Sequence, residues 1–324
     1  MIRYVVAVAS AVQGCALLGT AWHVTAQDAY PAKLIRLILP YAPGGNTSTL
    51  GRLVGNKLTE SWGQQVLMDN RPGGNTIIGT EALLRYPTDG YTILLTTATH
   101  TILAPTPYDP IKDFTPVATL TSSEKVLVTH PSLPVRNLRA LISLAKSRPE
   151  QLNFSSPGAG GLQHLAGVMF NILADVRIQH IPYKGGAQAV SELIGGQVQL
   201  SFQNSIAVLA HVKLGRLRGI AVSGENRLLS LPEVPTFRES GLAGFEVNTW
   251  FGVLARAGVA GGIVNKLSAE IARILQSPDV RATLLSLEMY PFISTPEQFA
   301  ALMRSDLAKY SKIIKTAKIK LDSY

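Results

Sequence analysis

Short apolar runs rich in Ile, Leu and Val alternate along this chain with longer segments whose apolar positions recur at helical spacing. That is the pattern of βαβ units built around mainly parallel sheets. The first unit predicts a strand over 34–39, a Pro- and Gly-bearing turn over 40–45 and a helix over 47–60. Further strands are predicted over 65–68, 92–96, 126–129, 178–181, 197–202 and 217–222. Two helices announce their own starts. Thr295-Pro296-Glu297-Gln298 combines an N-cap, a proline at the first helical position and a capping-box partner. Phe299, Leu302, Met303, Leu307, Tyr310, Ile313 and Ile314 follow on one face, a stripe suited to core packing. Asn137 can cap a second helix whose apolar positions are Leu138, Leu141, Ile142 and Ala145.

The N-terminal 26 residues break the pattern. Arg3 is their only charge, the stretch over 4–18 is mostly apolar, and Val24-Thr25-Ala26 supplies small residues at a cleavage position, so 1–26 is predicted to be a secretory signal peptide. Ser10 and Gln13 interrupt a run already short for a membrane anchor. Cys15, the sole cysteine, falls inside this segment. Val12-Gln13-Gly14-Cys15 also has the outline of a lipidation site, with Gln poorly placed, and that alternative stays open. The mature chain would have no cysteine, which excludes disulfides, thiolate zinc sites and a cysteine nucleophile.

About 298 residues follow the signal segment, more than one core usually holds, so two domains are expected. Removing Arg3 from the 30 basic residues leaves 29 against 21 acidic ones, a net charge of +8. The basic residues are scattered and no basic stretch is interleaved with aromatics, which argues against a nucleic-acid partner and leaves an anionic small molecule. No flexible linker is visible, so the domains should be joined by short crossovers.

Catalytic patterns fail. There is no G-x-S-x-G, H-E-x-x-H or G-x-x-x-x-G-K-[ST] in the chain. Ser143-Leu144-Ala145-Lys146 matches S-x-x-K, but it lies within a helical pattern and lacks its S-D-N companion. The six histidines form no i, i+4 pair and no carboxylates cluster, so no metal site is expected. What recurs is a glycine-bearing loop between strand and helix: Pro43-Gly44-Gly45-Asn46-Thr47-Ser48, Arg71-Pro72-Gly73-Gly74-Asn75-Thr76, the stretch 155–161, and Tyr183-Lys184-Gly185-Gly186. Any one could be only a tight turn. Four together favour anion binding by backbone N–H groups at helix N-termini, at the carboxyl ends of the strands.

In order along nearly the whole chain after the signal segment, the sequence resembles the Bug-type receptors of tripartite tricarboxylate transporters. The resemblance is carried by Tyr30-Pro31-Ala32-Lys33, Asn70-Arg71-Pro72-Gly73, Asp89-Gly90-Tyr91-Thr92, the stretch 108–114, and His164-Leu165-Ala166-Gly167. It continues through Pro182-Tyr183-Lys184-Gly185-Gly186, Gly195-Gly196-Gln197-Val198-Gln199, Pro232-Glu233-Val234-Pro235-Thr236 and Thr249-Trp250-Phe251-Gly252. It implies a type II-like α/β periplasmic binding protein with two lobes, 27–121 plus 247–324 and 122–246, closing on a small organic carboxylate. It further implies a monomer with no cofactor and no reaction, serving membrane permease subunits. By the same resemblance Tyr41, Gly45, Asn46, Thr47, Ser48 and Thr97 should grip the ligand from the first lobe, and Ala159, Gly160, Gly161, His164, Gln203 and Asn204 from the second. His164 is ambiguous, equally suited to touching ligand and to packing its helix.

Against the family pattern, Ser48 and Gln203 stand where acids are usual, and Gly161, Leu162 and Ile77 replace polar residues. The substitutions point to a ligand without an ammonium group and more apolar than citrate, such as an aromatic or longer-chain carboxylate. If instead Ser48 and Gln203 keep the same water-mediated bonds and Leu162 faces the core, the ligand is an ordinary family carboxylate. A periplasmic sensor feeding a membrane signalling protein would read the same closure and is the alternative function.

Overall fold

The computed structural model describes residues 30–43, 46–102, 106–183, 185–247, 249–317 and 319. Residues 1–26, with Cys15, lie outside them, as do Gly44, Gly45 and Lys184 of the glycine loops. The chain forms two sheets flanked by helices, the expected α/β architecture.

The first sheet begins with β1 (Ile35–Leu39), α1 (Asn46–Trp62), β2 (Val66–Asn70), α2 (Ile77–Leu83) and β3 (Thr92–Thr97). β1 pairs in parallel with β2 and β3, as βαβ patterning requires. The sequence then enters β4 (Phe114–Ser123) and crosses into the second sheet through β5 (Lys125–Thr129), with Glu124 as the single residue between them. The second sheet adds α3 (Leu138–Ser147), β6 (Asn153–Ser156), α4 (Leu162–Ala174), β7 (Gln179–Pro182), α5 (Gly186–Ile194), β8 (Leu200–Asn204), α6 (Ser205–Lys213) and β9 (Arg218–Val222). β10 (Thr249–Arg256) returns to the first sheet, followed by α7 (Gly261–Gln276), α8 (Pro278–Ser286), β11 (Tyr290–Pro291) and α9 (Pro296–Thr316).

Strand order is β11-β4-β10-β3-β1-β2 in one sheet and β7-β6-β8-β5-β9 in the other. Both sheets are mixed but mainly parallel in strand direction, with β10 and β11 opposing the other four strands of the first and β5 opposing the other four of the second. β10 runs antiparallel to β3 and β4, and β5 runs antiparallel to β8 and β9. The antiparallel strands are those adjoining the two crossovers. A chain that leaves one sheet at β4 and returns at β10 reverses direction beside its own parallel βαβ units.

Burial follows the alternation of each strand. Leu39, Ile93, Leu95 and Val253 pack with Leu50 of α1 and Leu267 of α7. Leu94 and Leu254 face the other way, in the core that holds Phe299 and Met303 of α9. In the second sheet Phe154 and Phe202 lie under Leu165 and Phe170 of α4, while Val126 and Val128 lie under α5 and α6. The capping box of α9 forms with both of its bonds, and Asn137 Oδ1 accepts from Ala140 N at 2.9 Å. The α9 stripe is core: Phe299, Met303, Tyr310 and Ile313 are buried. Between them Asp306, also buried, accepts the Trp250 indole N–H at 2.8 Å and so ties α9 to β10.

Candidate functional site

The carboxyl ends of β1 and β3 bring Tyr41 and Thr97 together. Tyr41 Oη and Thr97 Oγ1 are 2.8 Å apart, and Thr97 donates to Thr99 Oγ1 at 3.2 Å. Thr97 thereby has its own proton engaged, so Tyr41 is the donor in the pair. Burial pushes the Tyr41 phenol above its ordinary value despite these bonds. Thr97 also accepts from Thr99 N, capping the 3-10 turn Ala98–Thr101. α1 begins at Asn46, and Thr47 and Ser48 are buried in its first turn. Among the described residues, Ser48 Oγ makes two long contacts, 3.4 Å to Ala42 O and 3.5 Å from Asn70 Nδ2.

Asn70, which the sequence did not single out as a site residue, braces this loop by donating to Tyr41 O at 3.0 Å. Its neighbour Arg71 donates to Asp69, which Arg36 also engages. Burial of Asp69 opposes its charge, but these two guanidiniums outweigh it and hold the carboxyl below its usual range. The Asn-Arg-Pro-Gly motif is thus a brace for the 41–43 turn.

On the second sheet, β6 leads into Pro157, Gly158, Ala159, Gly160 and Gly161, and Gly161 precedes α4 with no side-chain cap. Gly160 has φ +77°, in the left-handed region that a glycine occupies without strain. That turn aims Gly160 N at His164 Nδ1, 3.0 Å away, so His164 accepts there and carries its proton on Nε2. The His164 ring stacks on His180 with centroids 3.8 Å apart, and His180 Nε2 lies 2.6 Å from Ser156 Oγ. Burial pushes His164 down to about 4, and burial together with His164 pushes His180 down to about 3. Both rings are neutral at neutral pH. His164 is bound up in holding its own loop.

Gln203 and Asn204 are neighbours in β8 and therefore face opposite sides of the sheet. Gln203, 2% exposed, donates to Ser201 Oγ at 2.8 Å. Ser201 and Ser155 bond each other, and Ser155 donates to Ala189 O of α5. Gln203 thus joins a buried ladder on the α5 side. Asn204 faces the other way and pairs in register with Lys125. Its Oδ1 accepts from Lys125 Nζ, which also donates to Thr249 Oγ1 at 2.5 Å. Lys125 is 1% exposed, and burial pushes its ammonium down to about 7 against a small opposing pull from Glu124. Neither Lys125 nor Thr249 was anticipated as a site residue. Leu162 and Ile77, whose apolar character had suggested an apolar ligand, belong to the core.

A cavity of 580 Å³ lies at the sheet junction, lined by Glu124, Phe245, Trp250, Tyr290 and Lys309 among others, and none of the expected ligand residues reaches it. The glycine-bearing loops and this cavity are separate features.

Comparison with known proteins follows the same lines as the geometry. The pattern of the family described as "Tripartite tricarboxylate transporter family receptor" matches residues 50–319. Protein BugT of Bordetella pertussis is 34% identical over 312 residues, covering 94% of this chain and 95% of that one. A solved R. palustris protein with adipate is 32% identical, with a TM-score of 0.78 over 90% of this chain and 99% of the other. The periplasmic binding protein BugD is 27% identical, with a TM-score of 0.74 over 90% of this chain and 99% of its own.

Proposed function

This chain belongs to the tripartite tricarboxylate transporter receptor family, and from that premise we propose that it is a periplasmic receptor capturing a small organic carboxylate without chemically altering it. The observation that carries the reading is that α1 and α4, one on each sheet, both begin after the glycine-bearing loop at the carboxyl end of a strand that runs parallel to its neighbours, and neither first turn holds an acidic side chain. Unshared N–H groups and the helix dipole favour a carboxylate at such a place.

In this reading the lobes are 27–121 plus 247–324 and 122–246, and residues 1–26 are removed on export. Tyr41, Gly45, Asn46, Thr47, Ser48 and Thr97 form one wall. Ala159, Gly160, Gly161 and Asn204 form the other, with His164 and Gln203 supporting it from behind. The receptor acts as a monomer, uses no cofactor and delivers its ligand to the permease subunits of a tripartite transporter. A ligand without an ammonium group fits the serine at position 48. The case for an apolar ligand loses two of its supports, because Leu162 and Ile77 pack into the core. What remains of it is a carboxylate with an apolar spacer, the chemistry of the adipate held by the R. palustris relative.

Mass spectrometry of ligand released from the purified, cysteine-free mature protein tests this directly. A carboxylic acid recovered unchanged and in stoichiometric amount supports the reading. Turnover of that acid, or preferential thermal stabilisation by amino acids over simple dicarboxylates, overturns it.

A further inference from the structure

Lys125 is a buried amine whose ammonium form meets only a small pull from Glu124 and makes no ion pair among the described residues. Its ammonium has three protons. Two go to neutral acceptors, Asn204 Oδ1 and Thr249 Oγ1, and no carboxylate within 4 Å pairs with it among the described residues. Transferring an ammonium out of water without a counter-charge is strongly unfavourable, and structural needs are usually met by an apolar side chain of the same volume. A charge kept in such a place calls for an anion that arrives from outside.

The position agrees. Side chains two residues apart along a strand share a face. Ser123 and Lys125 therefore point one way, while Ser122 and Glu124 point the other way and line the 580 Å³ cavity. On the Lys125 side the register pairs Ser123 with Thr249 and Lys125 with Asn204. Thr249 lies two residues, about 7 Å, from Phe251, which pairs with Thr97 of the first wall. One strand face thus runs from the Tyr41–Thr97 pair to the Lys125 ammonium. Ser123 Oγ lies on that face, and it and Ser205 Oγ, at the start of α6, are buried with no hydrogen-bond partner among the described residues. The cap of α6 makes no side-chain bond either.

We propose that Lys125 is the specificity-determining residue of the ligand site, taking one carboxylate of a dicarboxylate whose other carboxylate rests on the first-lobe loop at the start of α1. The proposal rests on the carboxylate-receptor reading above and deepens it. It selects dianions over monoanions. It also excludes ligands with an ammonium group, since like charges would meet at Lys125.

Titration of the full mature chain with succinate, malate, adipate and their monomethyl esters tests the assignment, in the native protein and in Lys125→Gln and Lys125→Met. Gln keeps hydrogen bonds to Asn204 and Thr249 without the charge, so it reports even where Met perturbs folding; melting curves establish that each variant is folded. The expected result is that the tightest dicarboxylate binds native protein at least tenfold better than its monoester. In the variants the diacid weakens by roughly thirtyfold, the monoester shifts by less than threefold, and the preference collapses. Equal weakening of diacid and monoester, or unchanged affinity for both, overturns the role of Lys125 while leaving the receptor reading intact. Failure of every acid to bind the native protein overturns the receptor reading, and this assignment with it.

Discussion

Ser48 and Gln203 both stand where the family resemblance led us to expect acids, yet the structure uses them in opposite ways. Ser48, in the first turn of α1, has two long and weak contacts at 3.4 and 3.5 Å. Gln203 is held by a 2.8 Å bond inside the Ser155–Ser201 ladder beneath α5. If the two walls hold the ligand as proposed, the first keeps polar capacity for it at Ser48, while the capacity of Gln203 in the second is used by its own ladder. On the proposed site, a serine in place of the expected acid bears on the ligand at position 48, whereas the glutamine at 203 bears on packing.

The largest expected consequence is a difference in acid sensitivity. His164 and His180 titrate near 6.5 when unfolded but are pushed down to about 4 and about 3 when folded. Between those values the unfolded chain binds protons that the folded chain refuses. Stability is then full above pH 6.5 and falls as pH drops toward 4, by about 1.4 kcal/mol per pH unit for each group. Allowing for partial exposure of His180, urea melts at pH 4.5 should lie about 3 kcal/mol below those at pH 7.5. On the first sheet His100, in the turn that Thr97 caps, is likewise pushed down to about 4 by burial and adds a single-residue share of the same acid sensitivity, while Asp69 is held below the ordinary carboxylate range and its contribution persists to lower pH. Replacement of His180 by Phe should remove part of the slope and leave the shares of His164 and His100; equal stability at both pH values in the native protein breaks the comparison.

Restoring the acids comes next. Gln203→Glu buries a carboxylate beside Ser201 with no cation among its bonded partners, and should cost about 2–4 kcal/mol. Binding by the folded fraction should stay within about threefold. Ser48→Asp does the reverse. An acid in the first turn of a helix gains from the dipole by about 0.3–1 kcal/mol, so the melting temperature should hold. Carboxylate affinity should fall about tenfold, some 1.4 kcal/mol, through repulsion at the α1 N-terminus. Calorimetric titration and thermal melts on the two variants separate the cases. A Ser48→Asp protein that binds dicarboxylates normally places the ligand away from that helix.

How far the sequence revealed this depends on the range of the signals. α9 and α3 were legible because caps and apolar stripes are local: Thr295 with Gln298, and Asn137 with Ala140. β1 and β3 were legible as apolar runs. β4 and β10 were not read as strands. Pro116 and the hydroxyls of β4 look like loop chemistry, and Gly252 in β10 is explained only by Phe299 of α9, whose ring tip lies 2.4 Å from where a Cβ would stand. Missing these two strands hid the reversal of β10 in the first sheet, and the reversal of β5 in the second was hidden although β5 itself was read as a strand. In the site, the loops at strand ends were visible as Pro-Gly and Gly-Gly punctuation. The sidedness of Gln203 and Asn204 became apparent only with strand register. Glu124-Lys125 reads in sequence as an ordinary solvated charge pair; its split to opposite faces is a product of the crossover between sheets.

The smallest effect is expected at Tyr41, although it is the most evident ligand-wall side chain. Thr97 donates to Thr99, so the Tyr41 proton is committed to Thr97 and is not free for a carboxylate. Tyr41 then acts by fixing the turn that Asn70 holds from the other side. Tyr41→Phe removes one neutral hydrogen bond, worth about 0.5–1.5 kcal/mol, and should weaken dicarboxylate binding by about three- to tenfold. Thr97→Val should produce a loss of similar size, and the double variant little more, because both remove the same link. Additive losses, or a hundredfold drop for Tyr41→Phe alone, would mean that the phenol turns away from Thr97 to donate to the ligand. The first wall would then recognise its ligand through a side-chain hydroxyl as well as through the backbone of α1.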